Sequence, residues 1–180
     1  MIALTDALVR ETVPGLFGDD EAVFSADGTY RYLLTRRWAE GGTTCTFAML
    51  NPSKATAAVT DPTVTRCIGF ARREGASALA VVNLHALRAT DPAELAKHPD
   101  PTGPCNDAFI LEHCQPGQLV IAAWGSHGIL RGRGLQVAVM LDGHGVDLKC
   151  FGVTKAGMPL HPLYQRADAP LSTYAPGGAT

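Results

Sequence analysis

Four short polar clusters follow the main apolar runs of the chain, and they carry residue types that bind and activate small molecules. Amides and hydroxyls donate and accept hydrogen bonds at once, and a neutral imidazole has one donor and one acceptor nitrogen. Such groups can orient a water or recognise the edge of a nucleobase, but none of them is a strong base. The clusters are Asn51-Pro52-Ser53, Asn83-Leu84-His85, Trp124-Gly125-Ser126-His127 and His161-Pro162-Leu163-Tyr164.

The corner at Asn51 ends the strand-like segment 44–50. Its amide can orient a water or a ligand, Ser53 offers hydroxyl and backbone N–H donors, and Pro52 makes the corner rigid. The alternative is a turn in which the Asn51 side chain only binds nearby backbone. The small residues of "KATAAVT" after the corner predict a loop beside the site that permits close ligand approach.

Asn83 ends the apolar run 79–82. Its amide matches the mixed donor and acceptor pattern of a nucleobase, although a structural asparagine at a strand end is the alternative. His85 and Arg88 continue the polar loop "HALRATDP". Arg88 suits a phosphate or carboxylate, while a solvated arginine or a structural ion pair is the alternative.

His127 and His161 are the two histidines that we rank highest, and either could serve as a general base; a structural histidine is the alternative. His161 stands between Pro159 and Pro162, which stiffen its loop. We also expect Trp124 and Tyr164 to contact the ligand. The sequence has no H-E-x-x-H pair, phosphate-binding P-loop, dinucleotide-binding glycine pattern or serine-hydrolase elbow, so we predict neither a metal nor a cofactor.

The elements that position these clusters form a strand and helix alternation. Asp27-Gly28 predicts a β-hairpin over about 22–38, and Asp61-Pro62 predicts the start of a helix that stops near Gly75. The rest predicts a three-layer α/β fold with a mainly parallel four-stranded central sheet and helices on both faces. Ligands bind beyond the carboxyl ends of such strands, where all four clusters lie.

Composition favours one globular domain spanning 1–180, with a tail over about 166–180 that we expect to be flexible. Hydrophobic residues make up 46% and charged residues 18%, and the net charge of -2 gives no reason for general affinity for nucleic acid. The five cysteines have no C-x-x-C pair, which favours reduced thiols in a cytoplasmic protein. No apolar run is long enough to cross a membrane.

The chain resembles a bacterial family known as domain-of-unknown-function family 1643, over about Tyr30 to Tyr164. The resemblance lies in "MLNPS", "DPTVTRCIGFAR", "VVNLHALRATDP", "AAWGSHG" and "GVTKAGMPLHPLY". It implies no reaction by itself.

A more distant resemblance is to the uracil-DNA glycosylase superfamily, which has an α/β sheet and motifs in the same order. Met49-Leu50-Asn51-Pro52-Ser53 is similar to a Gly-x-Asn-Pro-Gly corner, with both glycines replaced. Asn83 occupies a place comparable to the asparagine that recognises the base. His161-Pro162-Leu163 is similar to His-Pro-Ser in its first two residues.

This second resemblance implies an N-glycosidase with Asn51 and His161 as catalytic residues. Asn51 would position the attacking water, His161 would donate a hydrogen bond to the leaving base and Asn83 would recognise its edge. The implied substrate is a nucleobase-containing small molecule or a modified nucleic acid, and no oligomeric state is predicted. Two other classes stay open: a non-catalytic module that binds a nucleotide or nucleic acid, and a hydrolase or transferase using His127 or His161 with Ser53. The residues expected to bind the substrate are Pro52, Ser53, Asn83, His85, Arg88, Trp124, His127 and Tyr164.

Overall fold

The computed structural model describes residues 7–175 as a mixed α/β fold built on one sheet. The strands are β1 (Leu8–Val13), β2 (Asp20–Ser25), β3 (Arg31–Arg37), β4 (Thr44–Met49), β5 (Ala78–Asn83), β6 (Leu119–Ala122), β7 (Leu148–Cys150) and β8 (Ser172–Thr173). The α-helices are α1 (Pro62–Arg73), α2 (Ala93–Lys97), α3 (Asn106–His113) and α4 (Arg133–Gly143). Two 3-10 segments, Ser126–Gly132 and Pro162–Tyr164, follow β6 and β7.

The eight strands pair in the order β1-β2-β3-β5-β4-β6-β7-β8. Strand β4 pairs in parallel with β5 and β6, and β6 with β7; the other four pairings are antiparallel. The α/β class is therefore confirmed, but the expectation of a mainly parallel four-stranded sheet is wrong. The difference arises because β3 of the hairpin joins the sheet through β5, and because β1 and β8 extend its two edges.

The hairpin that adds antiparallel strands to the sheet consists of β2 and β3. Its turn has Gly28 at a φ of 71°, a conformation that glycine adopts without strain. The carboxylate of Asp27 accepts hydrogen bonds from the hydroxyls of Ser25 and Thr29 and from the Thr29 amide. These bonds hold the pKa of Asp27 at about 2. Aspartate and glycine thus fix the turn by local chemistry.

Helices cover both faces of the sheet because neighbouring residues of the central strands point in opposite directions. Phe47 and Val81 pack with the buried face of α1, including Phe70. Ala48 and Val82 belong to the second core cluster, with residues of α2, α3 and α4. The parallel strands are consequently buried on both sides, and their carboxyl ends lie between the two core clusters.

Helix α1 starts and stops as the sequence predicts. The Asp61 carboxylate accepts a hydrogen bond from the Val64 amide at 2.8 Å, Pro62 occupies the first turn, and Gly75 follows the helix with a φ of 80°. The helix presents Val64 and Phe70 to the core. Its amino end, at Asp61, lies beside the carboxyl end of the sheet.

The segment after residue 165, expected to be flexible, packs against the sheet as far as residue 175. Arg73 donates hydrogen bonds to the carbonyls of Ala167 and Ala169, and β8 pairs with β7. Tyr174 is buried with its ring 5.6 Å from the ring of Trp124. Residues 176–180 of the predicted tail lie outside the described residues.

All five cysteines are free, as the lack of paired spacing predicts, and all five are buried. In the described part of the chain, no helix combines the length and apolar character needed to span a membrane.

Candidate functional site

A cleft of about 610 Å³ lies at the carboxyl ends of β4, β5 and β6. Its walls include apolar side chains of β4, β5 and α1, among them Met49, Val81 and Val64. Seven of the ten predicted site residues line this one cleft: Asn51, Ser53, Asn83, Trp124, His127, His161 and Tyr164. The convergence that the strand ends predict is present in the fold.

Asn83 is the most unusual side chain in the cleft. It is only 1% exposed, and within residues 7–175 neither its Nδ2 nor its Oδ1 has a hydrogen-bond partner. Its backbone carbonyl, in contrast, accepts a hydrogen bond from Asn106 Nδ2 at 2.9 Å. An amide buried with both polar atoms unpaired costs stability, and Asn83 is among the residues that line the cleft.

Asn51 both holds the corner and presents an acceptor. Its Nδ2 donates to the carbonyls of Ala89 and Pro52, at 2.8 and 3.0 Å. These two bonds fix the orientation of the amide, while its Oδ1 accepts no hydrogen bond from the described residues. The Oδ1 atom is therefore a preoriented acceptor on a residue that lines the cleft.

His161 is held as a neutral hydrogen-bond donor. Its Nδ1 accepts a hydrogen bond from the Leu163 amide at 3.3 Å, which places the ring proton of the neutral form on Nε2. Burial lowers the pKa of His161, and the charge of Asp61 opposes that shift. The ring lies 5.6 Å from that of Tyr164. The half-buried imidazole is thus neutral near neutral pH, with an N–H available in the cleft.

A glycine turn after β6 brings the His161 loop close to the strand end. Gly125 adopts φ 73° and ψ -173°, and its amide donates to the Pro159 carbonyl at 2.9 Å. A Cβ at Gly125 would lie 3.4 Å from the Cβ of His161. Trp124 is buried with its Nε1 unpaired among the described residues, whereas His127 lies exposed at the rim.

Arg31 and Asp61 also line the cleft, although the sequence had suggested no site role for either. Arg31 is 3% exposed, and its Nη1 donates to the Ala55 carbonyl at 2.6 Å. Burial lowers its pKa to about 10, so it stays charged at neutral pH. Its place on the hairpin gave no signal, because an arginine in a strand with a polar face is expected to be solvated. Asp61 was recognisable only as a helix cap.

Beyond Lys54, the loop after the corner is held by hydrogen bonds from two arginines of β3. Besides the Arg31 bond, Arg36 Nη2 donates to the carbonyls of Thr56 and Val59, at 2.6 and 3.2 Å. Ala55 is fully buried and Ala57 is 4% exposed, both within the α1 side of the core. The expectation that small residues here permit close ligand approach is therefore wrong for Ala55 and Ala57, because both pack in the core.

Three predicted site residues lie outside the cleft. His85 is 1% exposed; burial, with Arg133 and Arg131 contributing, lowers its pKa to about 4. Its Nδ1 lies 3.3 Å from the hydroxyl of Thr102. Pro52 is buried, and its carbonyl accepts from the Ala89 amide at 3.0 Å. Both lie beneath the loop after β5, which folds back over them.

Arg88 points away from the main cleft and lines a neighbouring one. Its Nη1 donates to the Gly28 carbonyl at 3.0 Å, and its guanidinium lies 5.1 Å from the centre of the Phe24 ring. Arg88 is thus exposed but held in place, and it forms no ion pair with another residue of the range 7–175. Among residues 7–175, no three histidine, cysteine, aspartate or glutamate side chains cluster as a metal site would require.

Comparison with known proteins gives one result. The profile of a family described as "Protein of unknown function (DUF1643)" matches residues 31–163, which is most of the chain. No curated protein and no solved structure matches it. The matched segment begins at Arg31 and contains Asn51, Asn83 and His161. The chain belongs to the DUF1643 family.

Proposed function

We propose that this protein is an N-glycosidase that binds a nucleobase in the main cleft and hydrolyses its bond to the sugar. The observation that carries the proposal is the buried Asn83 amide, which has a donor and an acceptor and no partner for either among the described residues. A nucleobase edge with a neighbouring acceptor and donor satisfies both atoms at once. The volume of about 610 Å³ is in the range of small-molecule sites and accommodates a nucleoside.

Asn51 and His161 supply the groups for the reaction. Asn51 Oδ1 accepts a hydrogen bond from a water and holds it for attack on the anomeric carbon. As the bond between that carbon and the base nitrogen breaks, its electron pair leaves with the base, and His161 Nε2–H stabilises the charge there. The water oxygen bonds to the anomeric carbon and keeps one hydrogen. Its other proton is released to solvent, and the departing base takes up a proton at the nitrogen that the broken bond frees.

The charge of Arg31 on the cleft wall also favours movement of negative charge onto the leaving base. Arg31 is a buried cation on the cleft wall and contributes positive potential where the leaving base becomes negative, while the Asp61 carboxylate on the same wall offsets part of it. A preorganised donor such as His161 Nε2–H contributes about 3 kcal/mol to lowering the barrier in comparable sites. The protein needs no strong base for this chemistry, because placement of the water and stabilisation of the charge on the leaving base lower the barrier.

A likeness to uracil-DNA glycosylases also supports the proposal. Asn51 follows β4, Asn83 ends β5 and His161 follows β7, in the motif order of that superfamily. Ser53 and Leu163 replace a glycine and a serine of its motifs. Those two replacements favour an accessible base, in a nucleoside, a nucleotide or single-stranded nucleic acid, over one stacked in duplex DNA.

A non-catalytic nucleobase-binding module is the second candidate, since the structure of the Asn51 corner alone would also suit a site that only binds. The third class, which needs Ser53 activated by a histidine, has less support. Within residues 7–175 no hydrogen bond joins Ser53 to His127 or His161, and His161 Nδ1 is already engaged with the Leu163 amide.

The experiment is incubation of the protein with a panel of nucleosides, nucleotides and base-modified single-stranded oligonucleotides, with released base separated by chromatography. We expect release from at least one class, with Asn51→Ala and His161→Ala lowering turnover by about 100-fold while binding persists. Ligand-dependent thermal stabilisation without release from any substrate would instead establish the binding module. Full activity in both variants would refute the mechanism.

A further inference from the structure

A second cleft of about 680 Å³ adjoins the main one. The two share a wall made of Ser53, Ala89 and Thr90. The other lining residues are Gly28, Thr29, Lys54, Leu87, Arg88, Glu94 and His98. The two clefts are therefore adjacent, with these three residues between them.

The second cleft carries three nitrogen-bearing side chains that suit an anion. Lys54 and Arg88 are exposed cations on its wall. His98 Nδ1 accepts a hydrogen bond from the Asp100 amide at 3.2 Å, which leaves Nε2 as the donor atom of the ring. The one carboxylate of the lining, Glu94, accepts a hydrogen bond from the Asp91 amide at 3.3 Å.

The cleft is also preorganised. The contacts of Arg88 with the Gly28 carbonyl and the Phe24 ring fix the guanidinium while leaving other N–H groups available. The hydroxyls of Ser53 and Thr90 have no hydrogen-bond partner among residues 7–175. A fixed guanidinium with an ammonium and hydroxyls nearby provides the donors that bind phosphate oxygens.

We propose that this second cleft binds the phosphate of the substrate, so that the protein acts on nucleotides rather than on free nucleosides. The inference rests on the proposed function, because it places the base in the main cleft and one sugar across the Ser53 wall. The phosphate is either a terminal monoester or a diester in a single strand, and both present the same oxygens to Lys54 and Arg88.

Calorimetric titration tests this with three probes of each base: the deoxynucleoside, its 5′-monophosphate and a short single-stranded oligonucleotide. We expect the monophosphate to bind about tenfold more tightly than the nucleoside. The double variant Lys54→Ala with Arg88→Gln should abolish that advantage and leave nucleoside affinity unchanged. Lys54→Ala alone, at an exposed position, should remove part of it without affecting folding.

Matched controls are Lys97→Ala and Arg10→Ala, which remove exposed charges outside both clefts. Neither should change the preference for phosphate. Preference for the oligonucleotide over the monophosphate, lost in the double variant, would support the diester as the source. Any of three results would overturn the proposal. Nucleoside and monophosphate bind equally well, the double variant weakens both equally, or no probe binds.

The outcomes for the two proposals are distinguishable. If no base is released but phosphate preference depends on Lys54 and Arg88, the N-glycosidase proposal fails and the phosphate site stands. If nucleosides and nucleotides release base equally well, in wild type and double variant alike, the phosphate-site proposal fails and the N-glycosidase proposal stands.

Discussion

Replacement of Asn83 by leucine should stabilise the free protein while abolishing ligand binding. Each unpartnered buried polar atom costs about 1–3 kcal/mol, and Asn83 has two of them among the described residues. Leucine has a similar size and no polar atom, so it removes that cost. After some loss from imperfect packing, we expect a gain of about 2 kcal/mol, which for a chain of this length raises Tm by about 4–8 °C.

The matched control is Asn106→Leu, the same substitution at a neighbouring buried asparagine. Asn106 is fully buried, and its Nδ2 donates to the carbonyls of Asn83 and Leu84, at 2.9 and 3.0 Å. Leucine there removes two hydrogen bonds made at the end of β5. Relief of its own unpartnered Oδ1 offsets only part of the loss, so we expect a decrease of about 1–2 kcal/mol.

The assay is thermal unfolding followed by calorimetry, with and without saturating nucleotide. Asn83→Leu should melt above wild type without ligand and gain nothing from it, whereas Asn106→Leu should melt lower. If Asn83→Leu melts below wild type by as much as Asn106→Leu, Asn83 is a structural residue and the reasoning about the cleft is refuted.

Two further predictions concern the framework of the site. The pKa of His85 is about 4 in the folded protein and near 6.5 when unfolded, so the unfolded chain binds the proton first and stability falls as pH is lowered from about 7 towards 4. Denaturant titrations should show a loss of about 2 kcal/mol between about pH 7 and 5, reduced in His85→Gln; a flat profile in wild type would contradict it. A Cβ at Gly128 would lie 2.0 Å from Trp124 Cδ1, so Gly128→Ala should displace the indole, lower stability by about 1–3 kcal/mol and weaken ligand binding. Gly143→Ala, with no atom within 4 Å, should leave binding unchanged, and equal binding by both variants would show that the indole does not shape the cleft.

Local signals predicted much of the fold. The Asp27-Gly28 turn and the Asp61-Pro62 helix start depend on bonds within a few residues, which a sequence displays directly. In contrast, β8 is two residues long, and its pairing with β7 depends on a contact between distant parts of the chain.

The candidate site divides in the same way. Asn51, Asn83 and His161 were predictable because each follows an apolar strand, and parallel strands bring their carboxyl ends together. Arg31 was not, because its burial depends on how the hairpin docks on β5. His85 was expected in the cleft but lies outside it. Its loop folds back on the core, and no pattern of neighbouring residues reveals that.

The central claim is that the Asn83 amide recognises a nucleobase. Nitrogen-15 spectra of the side-chain amides test it directly, with the Asn83 signal assigned by its loss in Asn83→Leu. The account predicts that this signal moves when a nucleotide of the recognised base is added, and that the Asn106 signal moves less. An Asn83 signal that stays unchanged while a nucleotide saturates the protein would contradict the account.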